Sequence, residues 1–217
     1  MKKTINFIPI DYNYFDFQGR NYAKIIGRME NGKKACIIDS CDIFFWVILK
    51  ENVSEKKINE ICKKIEKIKI KSKLRESKVL KTELHEKNFL GKKVKAIKIF
   101  ITNYKDAHDI ADQIGFNEIE KRREYDLGFI TKYILERKVK PLKWYVIDGE
   151  TLDNYEFGGI SNIDVDLCLK VDKIKELDNE SDKEKFKPRI LAYDIETDEF
   201  EIGKGHILMI SLVGDNF

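Results

Sequence analysis

Between Ile43 and Ile119 the chain alternates between two kinds of apolar spacing, and that alternation narrows the folds open to it. Ile43-Phe44-Phe45-Trp46-Val47-Ile48-Leu49 is an unbroken apolar run of strand length. Ile58, Ile61 and Ile65 then recur at helical spacing among Lys56, Lys57, Lys63, Lys64 and Lys67. This is an amphipathic helix over residues 54–65 with a solvated basic face. Strand patterns return within residues 78–84 and over 94–101, followed by a second helix over 105–114 and a short strand near Ile119. Ser54 and Asn103 stand where side-chain caps of the two helices belong.

The order βαββαβ over residues 42–125 predicts a ferredoxin-like unit, the arrangement shared by RNA-recognition modules. Such modules carry stacking aromatics in a K/R-G-F/Y-G/A-F-V-x-F/Y strand. The corresponding strand here reads Val94-Lys95-Ala96-Ile97-Lys98-Ile99-Phe100, without aromatics at the stacking positions. Sequence-specific RNA binding through this sheet is therefore not expected, and Phe44, Phe45 and Trp46 read as core.

The flanks are strand-rich. Short strands run from Ile5 to Ile38, with turn signals at Gln18-Gly19 and Asn31-Gly32. Asn31-Gly32 predicts a type I′ hairpin turn between residues 23–26 and 35–38. After the central unit come a helix over 127–137, a strand over 144–147 ending at Asp148-Gly149, strand-like residues 163–171 and a polar linker over 175–187. The class is α+β. The expected divisions are an amino-terminal domain over 1–140, connecting strands and linker over 141–187, and the start of a further domain over 188–217.

Composition excludes several classes. Cysteines at 36, 41, 62 and 168 form no C-x-x-C pair and no zinc spacing, which suits free thiols in a reducing, cytoplasmic compartment. No apolar run reaches transmembrane length and the amino terminus has no signal-peptide layout, so no membrane partner is expected. The net charge of +3 conceals a polarity. Residues 55–98 hold about ten more basic than acidic side chains, and residues 146–201 reverse that balance. A basic front half suits a phosphate backbone, although the Lys-rich helix is equally a plain solvated face.

Leu191-Ala192-Tyr193-Asp194-Ile195-Glu196-Thr197 precedes a turn and a second apolar run, Ile207-Leu208-Met209-Ile210. Side chains alternate across a strand, so Asp194 and Glu196 share a face. Alone, such a pair is most often a solvated strand edge. Between two apolar runs expected to form a buried hairpin, carboxylates are costly unless they hold a cation or a partner. Two hard oxygen donors on one strand suit a divalent metal.

The segment from Arg189 to Ser211 closely resembles the first exonuclease motif of archaeal family B DNA polymerases. Further stretches resemble that family in the same order: Glu86-Lys87-Asn88-Phe89-Leu90-Gly91-Lys92, then Arg123-Glu124-Tyr125-Asp126-Leu127-Gly128-Phe129, then Leu142-Lys143-Trp144-Tyr145. The resemblance implies a ribonuclease-H-like 3′→5′ exonuclease domain opening after Pro188, with Asp194 and Glu196 as catalytic ligands of Mg2+ or Mn2+. It also implies DNA, single-stranded or primer–template, as partner. The rest of a polymerase would be a second partner, on the same chain or as a split subunit. The family's polymerase carboxylates and its remaining exonuclease motifs do not occur in these 217 residues, so this chain alone is expected neither to extend nor to digest DNA. The alternative is a non-catalytic nucleic-acid-binding module derived from a polymerase. An unpaired apolar hairpin over 190–213 also predicts self-association.

Archaeal members hold a pocket that captures template-strand uracil. The resemblance places its walls at Tyr12, Ile43, Phe44, Tyr104, Ala107, Gly128 and Phe129. Tyr12 and Phe129 agree with the family. Ile43, Tyr104 and Gly128 stand where prolines are frequent, and Ala107 stands for a valine. Proline stiffens such a slot, glycine loosens it and a bulky tyrosine fills it, so uracil sensing stays open.

Overall fold

Strand β1 (Lys2–Phe17) is long enough to serve two neighbours. Its second half, from Phe7, pairs antiparallel with β2 (Arg20–Met29), and β2 pairs antiparallel with β3 (Lys34–Asp39). A bulge between Pro9 and Asp11 bends β1 where proline has no N–H to give a ladder. Opposite Pro9 lies Gly27, where any Cβ would meet the Ile8 carbonyl oxygen and the Phe7 ring. The computed structural model describes residues 1–71, 75–152, 156–158, 163–177, 190–199, 201 and 203–214.

The middle of the chain forms a second sheet. Its elements are β4 (Ile43–Leu49), helix α1 (Glu55–Ile65), β5 (Lys69–Lys71), β6 (Glu76–Phe89), β7 (Lys92–Ile101), helix α2 (Ala107–Asp112) and β8 (Ile119–Arg123). The order across the sheet is β5-β6-β7-β4-β8, with every neighbour antiparallel. The helices bury Ile58, Ile61, Ile65, Ile110 and Ala111 in one cluster with Phe45, Val47, Ile97 and Ile99. Ser54 caps α1 by accepting a hydrogen bond from Lys57 N, and Asn103 accepts one from Lys105 N. The Ser54 cap stands where the sequence placed it, whereas Asn103 caps the short 3-10 turn Tyr104–Asp106 that leads into α2, not α2 itself.

Helix α3 (Phe129–Arg137) is tied to the end of β3: Asp39 accepts from the Tyr133 hydroxyl (2.8 Å) and from Arg137 Nε (2.9 Å). The chain then returns to the first sheet. β9 (Tyr145–Thr151) pairs antiparallel with the first half of β1, and β10 (Leu167–Glu176) pairs antiparallel with β9 and parallel with β3. The result is a closed barrel, β1-β2-β3-β10-β9, filled by Phe7, Ala23, Ile25, Ala35, Ile37, Ile147 and Leu169. Residues 141–177, expected as connecting strands and linker, thus supply two of its five strands. Most of the expected linker, residues 178–189, lies outside the described residues. Cys36 and Cys168 are register partners across the parallel seam, and all four cysteines are free.

The hairpin turns differ from expectation. Asn31-Gly32 is not a type I′ turn, because only Gly32 has positive φ (78°). Gly32 N donates to Met29 O (2.9 Å) and Met29 N donates to Lys33 O (2.9 Å), a longer loop with a bulge. The two-residue type I′ geometry appears instead at Gln18-Gly19 (φ 49° and 74°) and at Leu90-Gly91 (φ 50° and 81°).

The chain divides into two units, Met1–Asp178 and Asn179–Phe217. In the second, β11 (Leu191–Thr197) and β12 (Ile207–Gly214) form an antiparallel hairpin. The expectation of a buried hairpin is not met: Leu191, Ile195, Leu208, Met209 and Ile210 are all exposed. Two strands alone have no second layer to cover either face.

Candidate functional site

The alternation of β11 puts Asp194 and Glu196 on one face, opposite Ser211 and Met209 of β12. Both carboxylates are exposed. Asp194 Oδ1 accepts a hydrogen bond from Ile195 N (3.0 Å). A register shift after Glu196 ends the regular ladder, and the next acid, Asp198, serves the turn instead. Asp198 Oδ1 accepts from His206 N (2.7 Å), Oδ2 lies 3.3 Å from His206 Nδ1, and the Thr197 hydroxyl donates to Glu199 O (2.8 Å). Asp198 is thereby fixed as a turn anchor. Among the described residues, no group of three or more histidines, cysteines and carboxylates is placed to hold a metal ion. Asp194 and Glu196 fit a hard divalent cation as two donors of a larger set.

The seven positions assigned to a uracil pocket divide. Ile43, Ala107 and Phe129 are buried in one cluster, with Tyr12 and Tyr104 packed against it. The Tyr12 hydroxyl donates to Val139 O (3.0 Å), and burial, with Tyr145 nearby, pushes its pKa up. Phe44 points to the opposite face of β4, beneath the ammonium groups of Lys98 (3.6 Å from the ring centroid) and Lys132 (4.1 Å). Gly128 is exposed at the start of α3, and a Cβ there would meet nothing within 4 Å.

Tyr14, which the sequence did not single out, packs against two of these residues. Its ring centroid lies 5.2 Å from that of Tyr104 and 5.7 Å from that of Phe129, and Tyr104 lies 6.0 Å from Phe129. The Tyr14 and Tyr104 hydroxyls are 2.7 Å apart, and burial together with that bond pushes the Tyr104 pKa up to about 12. The available signal was spacing: Tyr14 is two residues from Tyr12 and shares its strand face. The three rings pack on one another and occupy the space between them.

Known proteins give the site its context. Residues 120–217 match the family described as DNA polymerase family B, exonuclease domain. That stretch takes in β8, α3, β9 and β10 as well as the β11–β12 hairpin. The DNA polymerase catalytic subunit of Human herpesvirus 7 (strain JI) is 27% identical over 174 residues, covering 77% of this chain and 16% of that protein. The family B DNA polymerase from the hyperthermophilic archaeon Pyrobaculum calidifontis shares the fold with a TM-score of 0.62 at 17% identity, over 97% of this chain and 25% of that one. The chain therefore spans a minor part of each relative. Residues 120–217, which hold the paired carboxylates of β11, are thus similar to the exonuclease domain of the family B DNA polymerases, and the fold is similar to that of an archaeal family B polymerase.

Proposed function

We propose that this chain is the amino-terminal portion of a DNA-directed DNA polymerase with a 3′→5′ proofreading exonuclease. In this reading it guides the template strand and contributes Asp194 and Glu196 to the nuclease's metal site. One observation carries the proposal: both carboxylates share a face of β11, inside the stretch that matches the family's exonuclease domain. Mg2+ or Mn2+ bound there would supply Lewis acidity for phosphodiester hydrolysis. The chain's own part is to present two oxygen donors on one strand, with Asp194 steadied by Ile195 N. Two carboxylates are fewer donors than a two-metal site needs, so the 217-residue chain alone is read as inactive. Its partners are single-stranded or primer–template DNA and the remaining parts of a polymerase, on the same chain or a separate one. The strand order β6-β7-β4-β8, with two helices on one side, supports a ferredoxin-like reading of the central unit. Because Tyr14, Tyr104 and Phe129 fill their own interior, uracil-containing and thymine-containing strands of equal length are expected to bind equally.

The test is 3′→5′ digestion of an end-labelled single strand by the polymerase that contains this region. Asp194→Ala and Glu196→Ala are each expected to slow digestion roughly 100-fold, the loss typical of removing one electrostatic stabiliser, while primer extension continues. Digestion that survives both substitutions would sink the reading.

A further inference from the structure

The five-stranded sheet has a second face that its helices do not cover. Strand alternation sends Phe44, Trp46 and Ile48 of β4 to that face, directly opposite Phe100, Lys98 and Ala96 of β7. β6 adds Lys81, Glu83, His85 and Lys87, and β8 adds Lys121 and Arg123. Lys81, Lys87, Lys98, Lys121 and Arg123 thus share the face with two carboxylates, each already engaged: Glu83 by Lys81 (2.5 Å) and His85 (3.3 Å), and Glu124 by Lys132 (2.8 Å). None of the ion pairs among the described residues engages Lys87, Lys98, Lys121 or Arg123.

These cations sit over aromatic rings. Lys98 Nζ lies 3.6 Å from the Phe44 centroid, Lys87 Nζ 4.6 Å from that of Trp46, and the Arg123 guanidinium 5.3 Å from that of Phe89. Phe44 and Phe100 are buried beneath lysine side chains, whereas Trp46 and Phe89 are half-exposed. Trp46, Lys87, Phe89 and Arg123 line one cleft of about 250 Å³. Through Phe89 and Val94 it adjoins a larger cleft of about 810 Å³, where Lys50, Lys92, Lys93, Lys95 and Lys121 outnumber Glu51 and Glu120. The stacking residues missing from the β7 positions of an RNA-recognition module are supplied here by β4 and by the tip of the β6–β7 hairpin.

An excess of positive charge calls for a polyanion, and half-exposed rings between the charges call for one whose flat bases are unpaired; a duplex hides its base faces. We infer that this face is a sequence-tolerant platform for single-stranded DNA, on which Trp46 and Phe89 stack bases while Lys87, Lys98, Lys121 and Arg123 meet phosphates. From Lys81 to Phe89 the track is roughly 25 Å long at about 3.3 Å per residue. That is room for about four nucleotides, the lower end of known single-strand sites. The choice of DNA over RNA rests on the polymerase reading, since stacking and phosphate pairing do not distinguish the two sugars.

The experiment is a fluorescence-anisotropy titration of the 217-residue chain with a labelled thymidine homopolymer of about 12 nucleotides at several salt concentrations. Four phosphate contacts give a slope of log K against log[salt] near −2.8, at about −0.7 each. Trp46→Ala is expected to weaken binding about 10-fold with the slope unchanged. Lys87→Gln with Arg123→Gln, both exposed and so without consequence for folding, is expected to flatten the slope by about 1.4. Circular dichroism of each variant confirms that it is folded. Failure of the chain to bind the strand, or folded variants that bind with the parent's affinity and slope, overturns the inference. An equal-length uridine RNA bound more than about 10-fold tighter overturns the assignment to DNA. Neither result touches the Asp194-dependent digestion assay, so the platform and the polymerase reading fail separately.

Discussion

Asp106 is almost wholly buried, yet it is built to stay ionised. It accepts two hydrogen bonds of 2.7 Å from the Arg75 guanidinium and a further one from the Ser77 hydroxyl. Burial pushes its pKa up, but the bonds from Arg75 and Ser77 and the charges of Arg75 and Lys105 outweigh burial and hold it below the usual carboxylate range. A folded-state pKa below the unfolded value of about 3.9 gives stability that is complete above that value. It is lost as pH falls through the folded pKa. Asp106→Asn is therefore expected to cost about 3 kcal/mol at pH 7, because the arginine loses its counter-charge. Urea unfolding at pH 7 and near pH 3 checks this, and the gap from the parent must narrow at the lower pH. Residue chemistry of short range was legible: Ser54 and Asn103 cap because their side chains reach a backbone N–H two or three residues on. The partnership of Tyr14 with Tyr104 was not, since it joins residues from opposite parts of the unit.

At the scale of elements, apolar period separated strands from helices, because β4 is a continuous run and α1 buries only Ile58, Ile61 and Ile65. It also put Asp194 and Glu196 on one face without tertiary information. Turn type was harder to read. Asn-Gly signals a left-handed glycine, which a type I′ turn and a bulged longer loop both require, and Gly32 satisfies the second. Leu90 shows the converse, adopting φ of 50° at a hairpin tip where leucine is seldom found while 83% of its surface is exposed. A side chain larger than glycine costs about 1–2 kcal/mol there, and asparagine recovers much of that through local hydrogen bonding. Leu90→Asn is accordingly expected to stabilise the protein by about 1 kcal/mol, a rise of about 2–4 °C in Tm by differential scanning calorimetry. A lowered Tm would show that Leu90 makes contacts that offset its backbone strain.

At the scale of the whole molecule, local pattern stops being informative at the barrel seam. The pairing of Cys36 with Cys168 joins strands separated by the entire second sheet, and no residue near either end advertises it. A division at residue 140 therefore looked reasonable from the sequence. In the structure β9 and β10 are structural members of the first sheet: Tyr145, Ile147 and Leu169 reach its core, and the Tyr145 hydroxyl accepts from Lys140 N (2.8 Å) and donates to Lys138 O (3.1 Å). Without them, residues 2–7 of β1 and all of β3 would be bare edges, and the buried side chains of Phe7 and Ile37 would lose one wall. Exposed edges of that kind favour aggregation over folding. A polypeptide of residues 1–178 is expected to unfold in one cooperative urea transition, whereas residues 1–140 should show none and self-associate on a sizing column. If the shorter piece unfolds with the same midpoint and slope as the longer, the barrel is not the cooperative unit, because the slope follows the surface exposed on unfolding and two added strands must enlarge it.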